Sequence, residues 1–565
     1  MPEEEPSERS PLLPKAQSNQ HPIDPSAGLV PQGADSYDGS SQANGSVDTE
    51  RDAAAEHTGE FDGLAEVRGR MKYIFPAVAI GVLLAAADQT IIVSTYGKIG
   101  SELGALNKTS WIANAYFLTL TAFQPLSGKL SDIFGRKECL MFAYIIFGLG
   151  SLFCGISQNI NQLIVSRAFA GIGGGAMTTV VSILISDVIP LRERGTWQGY
   201  INIVYATGAG LGAPLGGIIV DTISWRWAFL IQAPMCLIAL LSVWWLLRLP
   251  RTDESHWKEK IKRVDFLGAA ILLAAVTALL VGLDRGSNVS WTNTTTIICI
   301  SIAIPLFVVF ILVEIYVASE PFAPGHIMLE RSLVAAYLCN FFSFSGWLAA
   351  IFYVPLYYQA VYGYSATQAS VLLIPNIICG VSGSLFAGMY MQRTGRYYWL
   401  TISCYSCLTA GMLVLVATSG VVVSSVPGIV IGMCINGFSN GIGVTSALIA
   451  LIANTGQKDQ AMVTACSYLF RSMGSVFGVS ISATVVNSIL RSSLHDELGS
   501  GAEADKIADE VRRNLASLKD LPEAVQAIVR DCYAKSTSAA FELQVLLVLG
   551  AAIAAWWIKE KPLSR

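Results

Sequence analysis

GKLSDIFGRK, Gly128 to Lys137, and GMYMQRTGRY, Gly388 to Tyr397, share one ten-residue frame with glycine first, glycine eighth and arginine ninth. Each copy is polar and sits between two long apolar runs, so it reads as a tight hairpin joining two helices. A charged hairpin that returns once in so apolar a chain marks a duplicated helical bundle in a membrane.

Composition agrees. Of 565 residues, 53% are hydrophobic and 14% charged, and the mean hydropathy is +0.52, too greasy for a water-soluble chain of this length. The net charge of -4 gives no footing for a nucleic-acid partner. All eleven cysteines except Cys532 fall in or beside apolar segments, which argues against a disulfide framework. Cys404 and Cys407 lie inside an apolar run with no histidine near, so no metal site is expected. Gly437 to Gly441 fits a nucleophile-elbow pattern and Gly171 to Ala176 a dinucleotide fingerprint. Both need a strand-turn-helix setting, so no enzyme is expected.

Runs of about 20 apolar residues, each long enough for a hydrocarbon core, number fourteen. They predict an all-α membrane protein with a disordered tail over 1–70, a six-helix half over 71–250, and a linker with two extra spans over 251–330. A second six-helix half follows over 331–565. The second span is placed at 110–130 and the last at 537–558. The hairpin recurs eight spans later, and AGIGGG, Ala170 to Gly175, aligns with NGFSNG, Asn436 to Gly441. Duplication of this kind predicts a substrate site at mid-membrane between the halves, reached by rocking one half on the other.

The bases set the orientation. Arg136 and Lys137, Arg192 and Arg194, the cluster from Arg248 to Arg263, Arg393 and Arg396 all fall on one side, expected to be cytosolic. Lys98 and Lys108 fall against the rule. The sequons at Asn107, Asn288 and Asn293 fall on the opposite side and are candidate glycosylation sites. A long loop over 491–536 on that side carries Ile507, Val511, Leu515 and Leu518 at helical spacing, an expected amphipathic cover. In the tail, Glu8, Leu12 and Leu13 fit the acidic dileucine pattern that sorting adaptors read as a lysosomal or vacuolar address.

An acid deep in an apolar span marks an ion or substrate path. Asp88 in the first span is therefore the leading candidate for proton coupling, and Glu542 in the last span the weaker one. Glu314, in one of the extra spans, reads as peripheral. Arg167 in the fourth span has three open roles: holding a substrate carboxylate, pairing with Asp88, or relaying charge. The five histidines all fall outside the spans, so proton work falls on carboxylates. Asn114, Tyr116, Gln124, Asn340, Tyr353, Gln359, Asn376 and Asn436 are candidate cavity polars.

Within the first hairpin, Gly128 and Gly135 permit a tight turn, Asp132 is placed to hold Arg136, and Asp187 to pair with Arg192 or Arg194. Lys137 completes the charged set. The second copy has Gln392 where the first has Asp132, so the charge latch is expected in the first half alone. Gly208, Gly210, Gly212, Gly216 and Gly217 leave a flat face on the fifth span, expected to approach a helix of the other half.

These motifs resemble the major facilitator superfamily, and within it the fourteen-span drug:proton antiporter branch. GKLSDIFGRK is similar to the superfamily signature, and LIVSRAFAGIGGGAM places Arg167 at the branch's buried arginine. ATGAGLGAPLGGIIVD resembles the antiporter motif of glycines around Pro214, and SWRWAFLIQAP also fits the branch. ADQTIIVSTYGKIGSEL, Ala87 to Leu103, departs from the drug-exporter form and looks like the fungal vacuolar basic amino-acid permeases. The resemblance covers about residues 70 to 560. It implies a proton-coupled antiporter in the vacuolar, lysosome-like membrane. Such a protein moves lysine, arginine or histidine out of the cytosol, with no cofactor beyond the proton gradient. A plasma-membrane multidrug:proton exporter and a non-transporting amino-acid sensor are the alternatives.

Overall fold

The computed structural model describes residues 69–103, 110–249, 264–288, 290–317, 325–364, 366–456, 459–498 and 522–563. The tail with Glu8, Leu12 and Leu13, the sequon at Asn107 and the loop residues 499–521 lie outside the described residues. Seventeen helices form among those described. They are α1 (Met71–Glu102), α2 (Ser110–Phe134), α3 (Arg136–Ile156), α4 (Ile160–Val188), α5 (Leu191–Thr222), α6 (Trp225–Leu230) and α7 (Gln232–Leu246). Then follow α8 (Phe266–Asn288), α9 (Thr294–Tyr316), α10 (Gly325–Leu329), α11 (Arg331–Tyr362), α12 (Ala366–Val371) and α13 (Ile374–Thr394). The last four are α14 (Tyr398–Thr418), α15 (Val426–Asn454), α16 (Gln460–Leu498) and α17 (Glu523–Ala555).

Among the described residues, thirteen helical stretches are long and apolar enough to cross a membrane, α6 and α7 together forming one of them. Their break at Ile231 follows from Pro234, whose ring cannot pass the carbonyl four residues earlier. α2 is 25 residues long and packs along α4. Its Asn114, Gln124, Lys129 and Asp132 lower its hydropathy, and it is not among the thirteen, although the sequence led us to expect a span there. α16 runs on to Leu498 and α17 starts at Glu523, so both helices continue beyond the apolar spans expected from the sequence.

The helices α1–α7 and α11–α17 enclose separate hydrophobic cores. The extra pair α8–α9 leans on α2 and α16 through Ala122, Leu272, Val276, Phe310 and Leu469, and the Trp291 indole donates to Thr484 Oγ1 at 2.7 Å.

The halves meet along two seams, α2 with α16 and α5 with α13, and the duplicated hairpin explains both. A β-carbon on Gly128 would stand 2.6 Å from Ala465 Cβ on α16, and one on Gly388 would stand 2.6 Å from the Gly195 backbone on α5. Equivalent glycines thus form equivalent seams. The turn itself rests on the eighth position, where Gly135 has φ 103° and Gly395 φ 67°, conformations that favour glycine.

Two expectations are corrected. The face of Gly208 and Gly212 packs on Leu83 and Ala87 of α1, in the same half, where added β-carbons would stand 2.4 Å from backbone oxygens. α5 reaches the other half near its start, at Gly195 and Gly199. Asp187 takes Arg136 as its partner: Arg136 Nε lies 2.7 Å from Asp187 Oδ2, and Arg136 Nη1 lies 2.6 Å from Asp132 Oδ1. This charge network stays inside the first half. Arg192 instead donates to the carbonyls of Gln392 and Arg393 at the end of α13, and Arg194 Nη1 donates to Gln460 Oε1 at 3.0 Å. A helix C-terminus exposes unpaired carbonyls with partial negative charge, which a guanidinium suits.

All side-chain hydrogen bonds between the two halves among the described residues lie toward the face with the hairpins, hereafter the basic face. The deepest are Asn202 Nδ2 to Ser384 Oγ at 2.7 Å and Ser472 Oγ to Gln124 Oε1 at 3.0 Å, about 15–18 Å from the helix ends at 1.5 Å per residue. The two halves are thus joined on this face.

Gly388→Val is expected to wedge the α5–α13 seam. Hydrogen exchange at 190–200 and 384–396 should then rise, more than in Arg192→Ala, while Gly210→Ala, with open space around it, should leave it unchanged. Unaltered exchange in Gly388→Val would contradict the seam assignment.

Candidate functional site

Asp88 sits seventeen residues along α1, about 26 Å from its start, and Arg167 seven residues into α4 from the opposite face. Antiparallel packing brings them to one level, nearer the far face than the basic one. Arg167 Nη1 lies 2.6 Å from Asp88 Oδ2, and the two side chains are 1% and 0% exposed. Asp88 Oδ1 accepts from Gln232 Nε2 on α7 at 3.1 Å, and Arg167 Nε donates to the Ile112 carbonyl at 3.2 Å. The guanidinium lies 4.3 Å from the Tyr116 ring centre and 5.6 Å from that of Phe229, so its π-faces are also covered.

The chemistry of this arrangement is a closed neutral pair. Breaking it from one side strands a charge in a dry environment, at a cost of about 3–5 kcal/mol. A proton delivered to Asp88 would release Arg167 from its counter-ion. Of the three roles open to Arg167, pairing with Asp88 is the one seen in this conformation.

The remaining sequence candidates separate from this site. Glu542 is exposed on α17. It heads a stripe continued at helical spacing by exposed Leu546, Leu549 and Ile553, so it points away from the bundle, whereas Gln544 beside it is buried. Glu314 lies within the extra pair α8–α9, where it is 4% exposed and its Oε1 lies 3.1 Å from the place a Gly268 β-carbon would take. Asn293 caps α9, its Oδ1 accepting from Thr295 N. Pro214 is exposed, and Gly216 is buried. Gln124 spans the α2–α16 seam, and Asn376 and Asn436 are buried with side-chain oxygens that lack partners.

Two buried polar groups escaped the sequence reading. Gln232 could not be told from an ordinary interfacial polar residue. Arg471, inside AMVTACSYLFRSMGSVFGVS, carried the same signal that singled out Asp88, a charge well inside an apolar run.

Comparison with known proteins adds the lineage. Residues 78–479 match the family model of the Major Facilitator Superfamily. The chain is 38% identical over 497 residues to the vacuolar membrane amino acid uptake transporter fnx2 of Schizosaccharomyces pombe, covering 87% of this chain and 84% of that one. It is 37% identical to the multidrug resistance protein fnx1 of the same yeast, covering 86% and 91%. It is 30% identical to multidrug resistance protein 3 of Bacillus subtilis, covering 85% and 94%. The fold matches the human organic anion transporter at a TM-score of 0.53 and 15% identity, covering 84% of this chain and 99% of that one. With its duplicated hairpin, its two seams and a family match across most of its length, the chain belongs to the major facilitator superfamily and is a multi-pass membrane transporter.

Proposed function

We propose that this protein carries amino acids, the basic ones lysine, arginine and histidine among them, from the cytosol into a vacuole-like compartment in exchange for protons. The observation that carries this reading is the buried Asp88–Arg167 pair, set near the far face of a bundle whose halves are joined on the basic face. The similarity to a vacuolar amino acid uptake transporter over 87% of the chain supports the substrate class and the membrane.

Exchange follows from the charges. With the halves joined on the basic face, a proton from an acidic lumen neutralises Asp88 and loosens its hold on Arg167. The freed guanidinium keeps the Tyr116 and Phe229 rings but lacks its counter-ion, which destabilises this arrangement of α1 and α4. Rocking then opens the basic face at its seams, where Arg192 must leave the α13 carbonyls. Loss of the proton to the cytosol restores the pair as substrate is taken up. The plasma-membrane drug:proton exporter remains the second reading, favoured by the similarity to two multidrug resistance proteins.

Asp88→Asn is expected to abolish proton-driven lysine uptake into acidified vesicles, and full uptake would sink the exchange scheme. Arg167→Gln alone strands Asp88 and is expected to cost about 3–5 kcal/mol of stability. The double variant Asp88→Asn/Arg167→Gln should recover most of that in thermal melts without recovering uptake. A tagged protein should reside on the vacuole, and Leu12→Ala/Leu13→Ala should redirect it to the plasma membrane; a wild-type protein already there would favour the exporter.

A further inference from the structure

Arg471 is the second buried guanidinium in the middle of the bundle, and it differs from Arg167 in having no acid. It is 6% exposed and stands eleven residues along α16, about 17 Å from the basic end and so near the midplane. Arg471 Nε donates to Asn340 Oδ1 at 3.0 Å and Nη2 to the Val444 carbonyl at 3.0 Å. The rings of Tyr468 and Phe344 lie 5.2 and 5.6 Å from its Cζ. No carboxylate among the described residues pairs with it. Neutral dipoles hold the charge in place without cancelling it, and Nη1 takes part in neither hydrogen bond.

A buried cation without a counter-ion is costly in a membrane bundle unless it serves a passing anion. Three further features favour an anion here. The Phe344 ring packs edge-on to Trp347 at 5.7 Å, and the buried Trp347 indole N–H has no acceptor, so a second donor waits one turn farther from the basic face. Asn340 Nδ2 donates to Ser467 Oγ at 3.2 Å, which fixes the amide so that its oxygen faces Arg471. The next residue, Ser472, bonds Gln124 across the α2–α16 seam, placing Arg471 beside the surface where the halves part.

We propose that Arg471 is the anchor for the carboxylate of the transported amino acid, held ready by Asn340. This rests on the amino-acid reading above and deepens it. A bidentate guanidinium–carboxylate contact is strong and directional, and it would reject amines that lack the carboxylate.

The test uses full-length protein in proteoliposomes and in detergent, with lysine and with cadaverine, which keeps the side-chain amine but has no carboxylate. Wild type is expected to take up lysine, with cadaverine a poor competitor. Asn340→Asp supplies an internal counter-ion of the same shape and Arg471→Gln removes the charge. Both are expected to raise the KM for lysine roughly ten- to hundredfold, as expected for losing a hydrogen bond to a charged group. Asn340→Asp should do so while melting at or above the wild-type temperature, which a merely structural Arg471 would not produce. Arg471→Lys should recover part of the affinity. Lysine uptake with an unchanged KM in both variants would overturn the proposal and leave the amino-acid reading intact. If wild type moves no amino acid, that reading falls, and thermal protection by propionate decides Arg471. Protection of wild type but not of Asn340→Asp or Arg471→Gln would support an anion site, and no protection of wild type would overturn it.

Discussion

A charge carried into hydrocarbon has to be answered within the bundle, and the two halves of this protein answer it differently. In the first half Arg167 meets Asp88 at 2.6 Å with both side chains closed to solvent. Gln232, the Ile112 carbonyl and the Tyr116 ring complete the set. In the second half Arg471 meets an amide, a carbonyl and two rings. The first arrangement is a neutral ion pair, the one that the proposed exchange scheme has a proton break. The second stays positive and is suited to a ligand that brings its own negative charge. The exchange proposed above assigns one group to each partner, and the duplicated fold provides two places to put them.

The contacts that join the halves are of kinds that break cheaply. The seams use close glycine contacts, Gly128 against the Ala465 methyl and Gly388 against the Gly195 backbone, together with neutral hydrogen bonds and arginine-to-carbonyl contacts. No ion pair bridges the halves among the described residues. The Asp132–Arg136–Asp187 network is confined to the first half, where it stiffens the hairpin as a unit. Gln392, which replaces the aspartate in the second copy, accepts from Thr196 Oγ1 at 3.2 Å and lends its carbonyl to Arg192. The change of residue between copies therefore exchanges a rigid local network for a releasable contact across the seam.

Much of this was legible in the chain because the signals were local or periodic. Apolar runs located the crossings, the repeated ten residues located the duplication, and one acid in a greasy span pointed to Asp88. What stayed hidden depended on which way a helix faces. Glu542 and Gln544 are two residues apart in one span, yet the acid points outward and the amide inward. Gly208 and Gly212 announced a close helix contact, but only packing shows that α1 is the partner. Asp187 had three arginines within reach on the same face, and chain order favoured the wrong two. Arg471 was hidden by neither rule; it is a charge in an apolar run.

Exchange itself is most directly read by following protons. Proteoliposomes loaded at acidic pH with a trapped pH-sensitive dye are challenged with external lysine, with no other ion gradient present. The lumen is expected to turn alkaline as lysine enters, in wild type and not in Asp88→Asn. Lysine entry with no change in lumenal pH would contradict proton exchange through the Asp88–Arg167 pair.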